Sequence, residues 1–141
     1  MVDKALLARK VAAIRDAVER IRGVLPEREA FLADRTVREV VTLNLFVALQ
    51  ECMALASHWL ADEGWEVPAS YREVFRALAD HHIIPGDLAG RLSSASGLRN
   101  LVAHQYGAID WTRIHEIASS DLPDLLEFCE ALAKAVEAGG R

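Results

Sequence analysis

The segment between Asp34 and Gly64 constrains this chain more than any other. From Leu43 to Leu60 its residues are apolar almost all the way round a helix. Asp34 offers a short carboxylate that can accept from the free N–H groups at a helix start, and Gly64 tolerates the left-handed turn that closes one. The pattern predicts one long helix from Asp34 to about Glu63. Such a helix needs cover on several sides, from its own domain or from another subunit. A membrane would also tolerate this apolarity, but Asn44, Gln50, Glu51 and His58 interrupt the segment. The N-terminal residues mix charges among their apolar side chains and contain no signal-peptide core. The expected setting is therefore cytoplasmic, with no membrane contact.

The flanking segments can supply the cover. Leu7, Val11, Ile14, Val18, Ile21 and Leu25 recur at alternating steps of four and three, and Pro26 ends the run. "SYRE" at 70–73 has the pattern of a capping box, with Ser70 as cap and Glu73 reaching back, and predicts a helix to about His82. Pro85 and Gly86 open a further helix to about Ala103, and Asp110 caps a short one over 111–118. The last helix, near 121–138, presents Leu122, Leu125, Leu126, Cys129, Leu132, Ala133 and Val136 on one face. No segment alternates with period two. The expectation is an all-α antiparallel bundle of about five to six helices, forming one domain over residues 1–141.

Charge and side-chain chemistry narrow the function classes. The formal net charge is −5, so the chain lacks the basic excess with which a duplex-binding protein neutralises phosphates. No binding to duplex DNA is expected, and any nucleic-acid chemistry needs a local basic site. Cys52 and Cys129 fall inside helical patterns without a CxxC spacing, and read as reduced core thiols. No His or Cys pair has the short spacing of a structural zinc site, so neither a metal nor another cofactor is expected. Trp59, Trp65 and Trp111 read as core or interface anchors, and Tyr71 and Phe75 as core. His81 and His82 read as partners for a helix C-terminus, and the carboxylates near 116–130 as solvated faces.

One stretch resists this plain reading. "GLRNLVAHQYG", residues 97–107, sets Arg, Asn, His and Tyr into an otherwise apolar helix. At about 100° per residue, Leu88, Leu92, Ala95 and Val102 cluster in a narrow arc with Arg99 in its middle. Ser93, Gly97, Asn100 and His104 point to roughly the opposite side. A guanidinium cannot lose its proton, so Arg99 on a packed face needs an acidic partner, or the stripe opens there onto a pocket or subunit boundary. Arg99 and His104 diverge by about 140° on a straight helix. They could meet one ligand if the helix ended before His104 and the chain turned, or if two copies of the motif faced each other. A helix C-terminus stabilises an imidazolium, and a cationic histidine near an arginine suits a phosphate.

The string "RNLVAHQYG" resembles the Arg-Asn-x3-His-x-Tyr signature of HepT-like HEPN-domain proteins, the toxin halves of prokaryotic toxin–antitoxin pairs. The resemblance runs through "ASYREVFRALADHHIIPGDLAGRLSSASGLRNLVAHQYGAID" and "DLPDLLEFCEAL", and covers roughly residues 30–135. It implies an all-helical homodimer whose two motifs meet in a cleft between subunits, acting as a metal-independent endoribonuclease. On that resemblance Arg99 and His104 are catalytic, Asn100 is a supporting polar residue, and Tyr106 is a modification target. The implied partners are an RNA substrate and a small nucleotidyltransferase antitoxin (MntA-like) that adds nucleotide to the tyrosine, as in AMPylation.

The chemistry of RNA agrees with this. Attack of the 2′-OH on the adjacent phosphate needs a base, an acid and positive charge where the phosphorane develops. Histidine suits the proton transfers and a fixed guanidinium suits the charge. The acidic balance and the lack of a basic RNA track leave an alternative open: a non-catalytic dimeric module that binds a nucleotidyltransferase partner or a nucleotide.

Overall fold

A computed structural model describes residues 2–104 and 109–139, with side-chain surroundings for all of these except 99–104. The element order is α1 (Lys4–Val24), α2 (Arg28–Ala33), α3 (Arg35–Asp62), α4 (Tyr71–Asp80), α5 (Gly86–His104), α6 (Trp111–Ser120) and α7 (Leu122–Gly139). No strand occurs among the described residues.

The long helix predicted from Asp34 is α3, and it is the axis of the bundle: each of the other six helices packs against it. Asp34 caps it as expected, its Oδ1 accepting from Val37 N–H at 3.1 Å. α3 is long and apolar enough to cross a membrane by length and composition. Much of that apolar surface faces the bundle core, where Leu45, Leu49, Cys52, Met53 and Leu60 meet Ile14, Ile21, Phe75 and Phe128. α1 runs antiparallel to it. Asp3 N–H donates to Asp62 Oδ2 at 3.1 Å, and Lys10 Nζ pairs with Glu51 Oε2 at 2.9 Å. The α1 stripe buries Leu7, Ile14, Ala17, Val18 and Ile21, while Val11 and Leu25 are half-buried.

The structure has seven helices among the described residues, where about five to six were expected. The addition is α2, only six residues long, whose Glu27 cap makes no side-chain bond. A helix this short has no periodicity to read, and tertiary contacts hold it. Phe31, its one buried residue, meets the His115 ring at 5.1 Å, and His115 Nε2 lies 2.9 Å from Pro26 O.

The turn after α4 also differs from expectation. Ser70 caps α4 by accepting from Arg72 N–H at 3.3 Å, and no reciprocal bond from Glu73 completes the box among the described residues. The helix stops at Asp80 instead of His82, because His82 takes a left-handed conformation at φ 60. Its N–H donates to Ala79 O at 3.0 Å and Ile83 N–H to Leu78 O at 2.9 Å, which satisfies the last carbonyls of the helix. α3 ends in the same way at Gly64, with φ 76, where the geometry suits glycine. The two helix ends touch: Trp65 and His81 stack with ring centroids 3.7 Å apart and planes within 2°. His81 therefore acts through its ring face.

Three further expectations are corrected. Tyr71 is exposed while Phe75 is fully buried, since Tyr71 sits at the first turn of α4 on its outer side. In α7 the buried face includes Phe128, and Ala133 is exposed. The carboxylates over 116–130 are not uniformly solvated, because Asp124 is mostly covered and accepts from Arg91. Burial and the neighbouring Asp124 raise the Asp121 carboxyl above its usual range. Cys52 and Cys129 are free, buried thiols, as expected.

Candidate functional site

The motif rides on α5, and the first turns of that helix explain how it is held. Leu88, Leu92 and Ala95 are buried, as the helical wheel predicts, joined by Ala89, Ser96 and Leu98. The serines find local partners: Ser93 Oγ donates to Arg72 O at 2.8 Å, and Ser96 Oγ to Ser93 O at 2.7 Å. Arg91 spreads its guanidinium over three carboxylates, at 3.2 Å to Asp87, 3.0 Å to Asp124 and 3.4 Å to Glu127. This ties α5 to α7 and, through the Arg91 hydrogen bond, holds the Asp87 carboxyl below the usual carboxylate range.

The α5 backbone stays helical through His104. Of the two ways for Arg99 and His104 to meet one ligand, a helix ending before His104 is thereby excluded. Both residues lie on one continuous helix, about 7.5 Å apart along its axis and about 140° apart around it. Arg99, Asn100 and His104 are placed only as backbone positions of α5; their side chains lie outside the described residues, and Tyr106 lies outside them altogether. The described residues continue at Ile109. Ile109 is buried, and Asp110 Oδ1 accepts from Thr112 N–H at 3.1 Å and Arg113 N–H at 3.3 Å to start α6. The motif is thus bracketed by two anchored segments.

Beside the start of α6 lies a group that the sequence reading passed over. Arg38, half-buried in the first turns of α3, sets its guanidinium 5.2 Å from the centroid of the Trp111 ring. Its Nη1 donates to Leu32 O, the carbonyl end of α2. Its Nε is buried without a hydrogen-bond partner, and so is the hydroxyl of Thr42, one turn further along α3. The available sequence signal was the Arg-x3-Thr pair interrupting an apolar helix. On the outer side of the same half of α3, Val40, Leu43 and Val47 form an exposed apolar stripe, with Leu43 62% exposed.

Other concavities lie elsewhere. A groove of about 320 Å³ at the far end of α3 is lined by Val2, Trp59, Glu63 and Val136. Among the described residues no three His, Cys, Asp or Glu side chains converge as a metal-holding group.

Comparison with known proteins covers most of the chain. The family model described as Ribonuclease HepT-like matches residues 14–132. The mRNA nuclease HepT of Shewanella oneidensis is 27% identical over 127 residues, covering 90% of this chain and 96% of that protein. A solved structure of a tri-AMPylated Shewanella oneidensis HEPN toxin in complex with its MNT antitoxin superposes with a TM-score of 0.86 at 27% identity, covering 95% of this chain and 99% of that one. A toxin–antitoxin complex solved with AMP-PNP gives a TM-score of 0.83 at 26% identity, covering 94% and 99%. The cytosolic protein YutE of Bacillus subtilis shares the fold alone, with a TM-score of 0.86 at 11% identity over 98% of this chain and 93% of that one. With the family model matching most of its length, this chain belongs to the HepT-like ribonuclease family.

Proposed function

We propose that this protein is the endoribonuclease toxin of a toxin–antitoxin pair, acting on RNA in the cytoplasm as a homodimer. Family membership across residues 14–132 supports the activity class. The observation that carries the composite site is the continuity of α5 through His104, which keeps Arg99 and His104 of one copy on diverging sides. A two-fold arrangement brings both pairs around one cleft. The uncovered stripe of Val40, Leu43 and Val47 is the part of the central helix that the chain itself leaves open, and it suits the boundary with a second copy.

In this reading His104 of one copy takes the proton of the 2′-OH as that oxygen bonds to phosphorus. The bond from phosphorus to the 5′ oxygen breaks, and the leaving oxygen takes a proton from His104 of the second copy. A 2′,3′-cyclic phosphate remains. The Arg99 guanidinium stabilises the charge that develops on the phosphorane oxygens, and Asn100 is a supporting polar group. No step passes through a metal ion. The partner is a nucleotidyltransferase antitoxin, as in the relative solved with its MNT antitoxin. Tyr106 stands two positions past His104 in the chain. Nucleotide added to its hydroxyl brings negative charge beside the cationic centre and blocks phosphate entry.

The test is cleavage of labelled single-stranded RNA in EDTA by the wild-type protein and by His104→Ala. Loss of the proton-transfer group is expected to slow cleavage by about 10²–10⁴-fold. Equal cleavage by both proteins overturns the assignment. Co-purification with a nucleotidyltransferase together with absence of turnover under any condition, including by wild-type protein free of that partner and unmodified at Tyr106, supports the non-catalytic binding module instead, the reading that the net charge of −5 favours.

A further inference from the structure

We propose that Arg38 and Trp111 form a nucleotide subsite for the RNA strand beside the Arg99/His104 centre, with a base against the indole and a phosphate on the guanidinium. This rests on the ribonuclease reading above and extends it to residues outside the motif.

Four observations converge on this corner. Arg38 forms no ion pair among the described residues, as is also true of Arg9, Arg15, Arg22, Arg28, Arg72 and Arg76, but of these it is the one whose guanidinium lies by an aromatic ring, that of Trp111. Its contact with the Leu32 carbonyl uses Nη1 and leaves Nε buried and unpartnered. The Thr42 hydroxyl, one helical turn away, is buried and unpartnered too. Buried donors and acceptors are normally satisfied, and a third described orphan, Trp59 Nε1, lies near the other end of α3, so these two, a turn apart, set this corner off from the rest of the helix. The Trp111 ring is only half-buried and already carries the guanidinium near it.

Position links this corner to the motif. Trp111 is the first residue of α6, at the end of the short connection that leaves α5 at His104, and α3 packs against both helices. In this proposal a strand with its scissile phosphate at the motif runs on toward Arg38 and Trp111. Single-stranded RNA is gripped by this pairing of side chains: aromatic faces take bases whatever their identity, and cations track the phosphates. In a chain of net charge −5, cations left unneutralised by carboxylates are the ones available for RNA.

The experiment measures binding of a fluorescein-labelled single-stranded oligoribonucleotide to full-length His104→Ala protein, with and without Arg38→Gln, across a salt series. Arg38→Gln is expected to weaken binding roughly tenfold at low salt and to lower the slope of log K against log salt by about 0.7, the loss of one phosphate contact. Arg38→Lys should restore the slope, because it keeps the charge, and Trp111→Leu should weaken binding with the slope unchanged. Melting curves on each variant separate binding from folding. Unchanged affinity and slope in Arg38→Gln, in a protein that still binds RNA and whose wild type still cleaves it, overturn the subsite alone. Absence of both RNA binding and cleavage with Arg38 intact overturns the ribonuclease reading and the subsite with it.

Discussion

α3 has two halves of similar apolar character and opposite surroundings. In the C-terminal half Cys52, Met53, Leu55, Ala56, Trp59 and Leu60 are all buried, and the start of α1 is fastened over them by Asp3–Asp62 and Lys10–Glu51. In the N-terminal half Val41, Leu45 and Leu49 are buried, yet Val40, Leu43 and Val47 face out. There too Arg38 and Thr42 hold buried polar atoms without partners. The C-terminal half has an unpaired buried atom of its own, Trp59 Nε1, but its large apolar side chains are covered by the chain itself, whereas the N-terminal half leaves an apolar stripe open and is the incomplete one. The incomplete half meets α6 at the contact between Arg38 and Trp111, the first residue of α6 and the next element after the motif in the chain.

Substitutions test that contrast most strongly in the finished half. Leu60→Ala removes a fully buried side chain from the bundle axis and should cost about 2–5 kcal/mol, read as a lower urea midpoint with an unchanged slope. A cost equal to that of Leu43→Ala would erase the distinction between the halves. In the open half, Leu43→Glu should leave the folded subunit within about 0.5 kcal/mol of wild type, as surface substitutions do. Its effect should fall on assembly, shifting sedimentation from dimer to monomer and removing cleavage at a site built from two copies. A variant that remains dimeric and active separates the stripe from the subunit boundary.

The smallest effect sharpens the contrast through pH. Burial pushes the Cys129 thiol up to about 11 from 9.0, and the Cys52 thiol is also raised well above its usual value by burial. The folded state therefore holds these protons more tightly than the unfolded chain. The resulting stability is fully present below pH 9.0 and is lost as pH rises through 9.0 towards about 11. Urea midpoints at pH 8 and pH 10.5 should show this decline, and Cys129→Ala should reduce it. An identical alkaline decline in the variant removes Cys129 as its source.

Much of the architecture was legible because its signals are local. Asp34 and Asp110 cap helices with the side-chain bonds their residue types suggest, and Gly64 ends α3 where a left-handed residue is needed. The exceptions are decided by neighbours. α2 exists because Phe31 has a pocket against His115, and His82 tolerates a left-handed conformation in a turn tied to Leu78 and Ala79. Tyr71 and Phe75 lie four apart, but only one faces the core. At the candidate site, the residue types of the motif were plain in the string, whereas the corner formed by Arg38, Thr42 and Trp111 left only the Arg-x3-Thr pair as a signal there. Trp111 is far from Arg38 and Thr42 in sequence, and the significance of the two α3 residues lies in what they fail to contact.

The sequence by itself determined the helical class, most of the helix limits and the motif, because capping, periodicity and residue chemistry act over a few neighbouring positions. Only the tertiary structure decided which side of α3 is left uncovered, where buried polar atoms remain unpaired, and that α5 continues through His104. Those depend on how helices distant in sequence pack together, and burial is a property of the neighbours a residue meets.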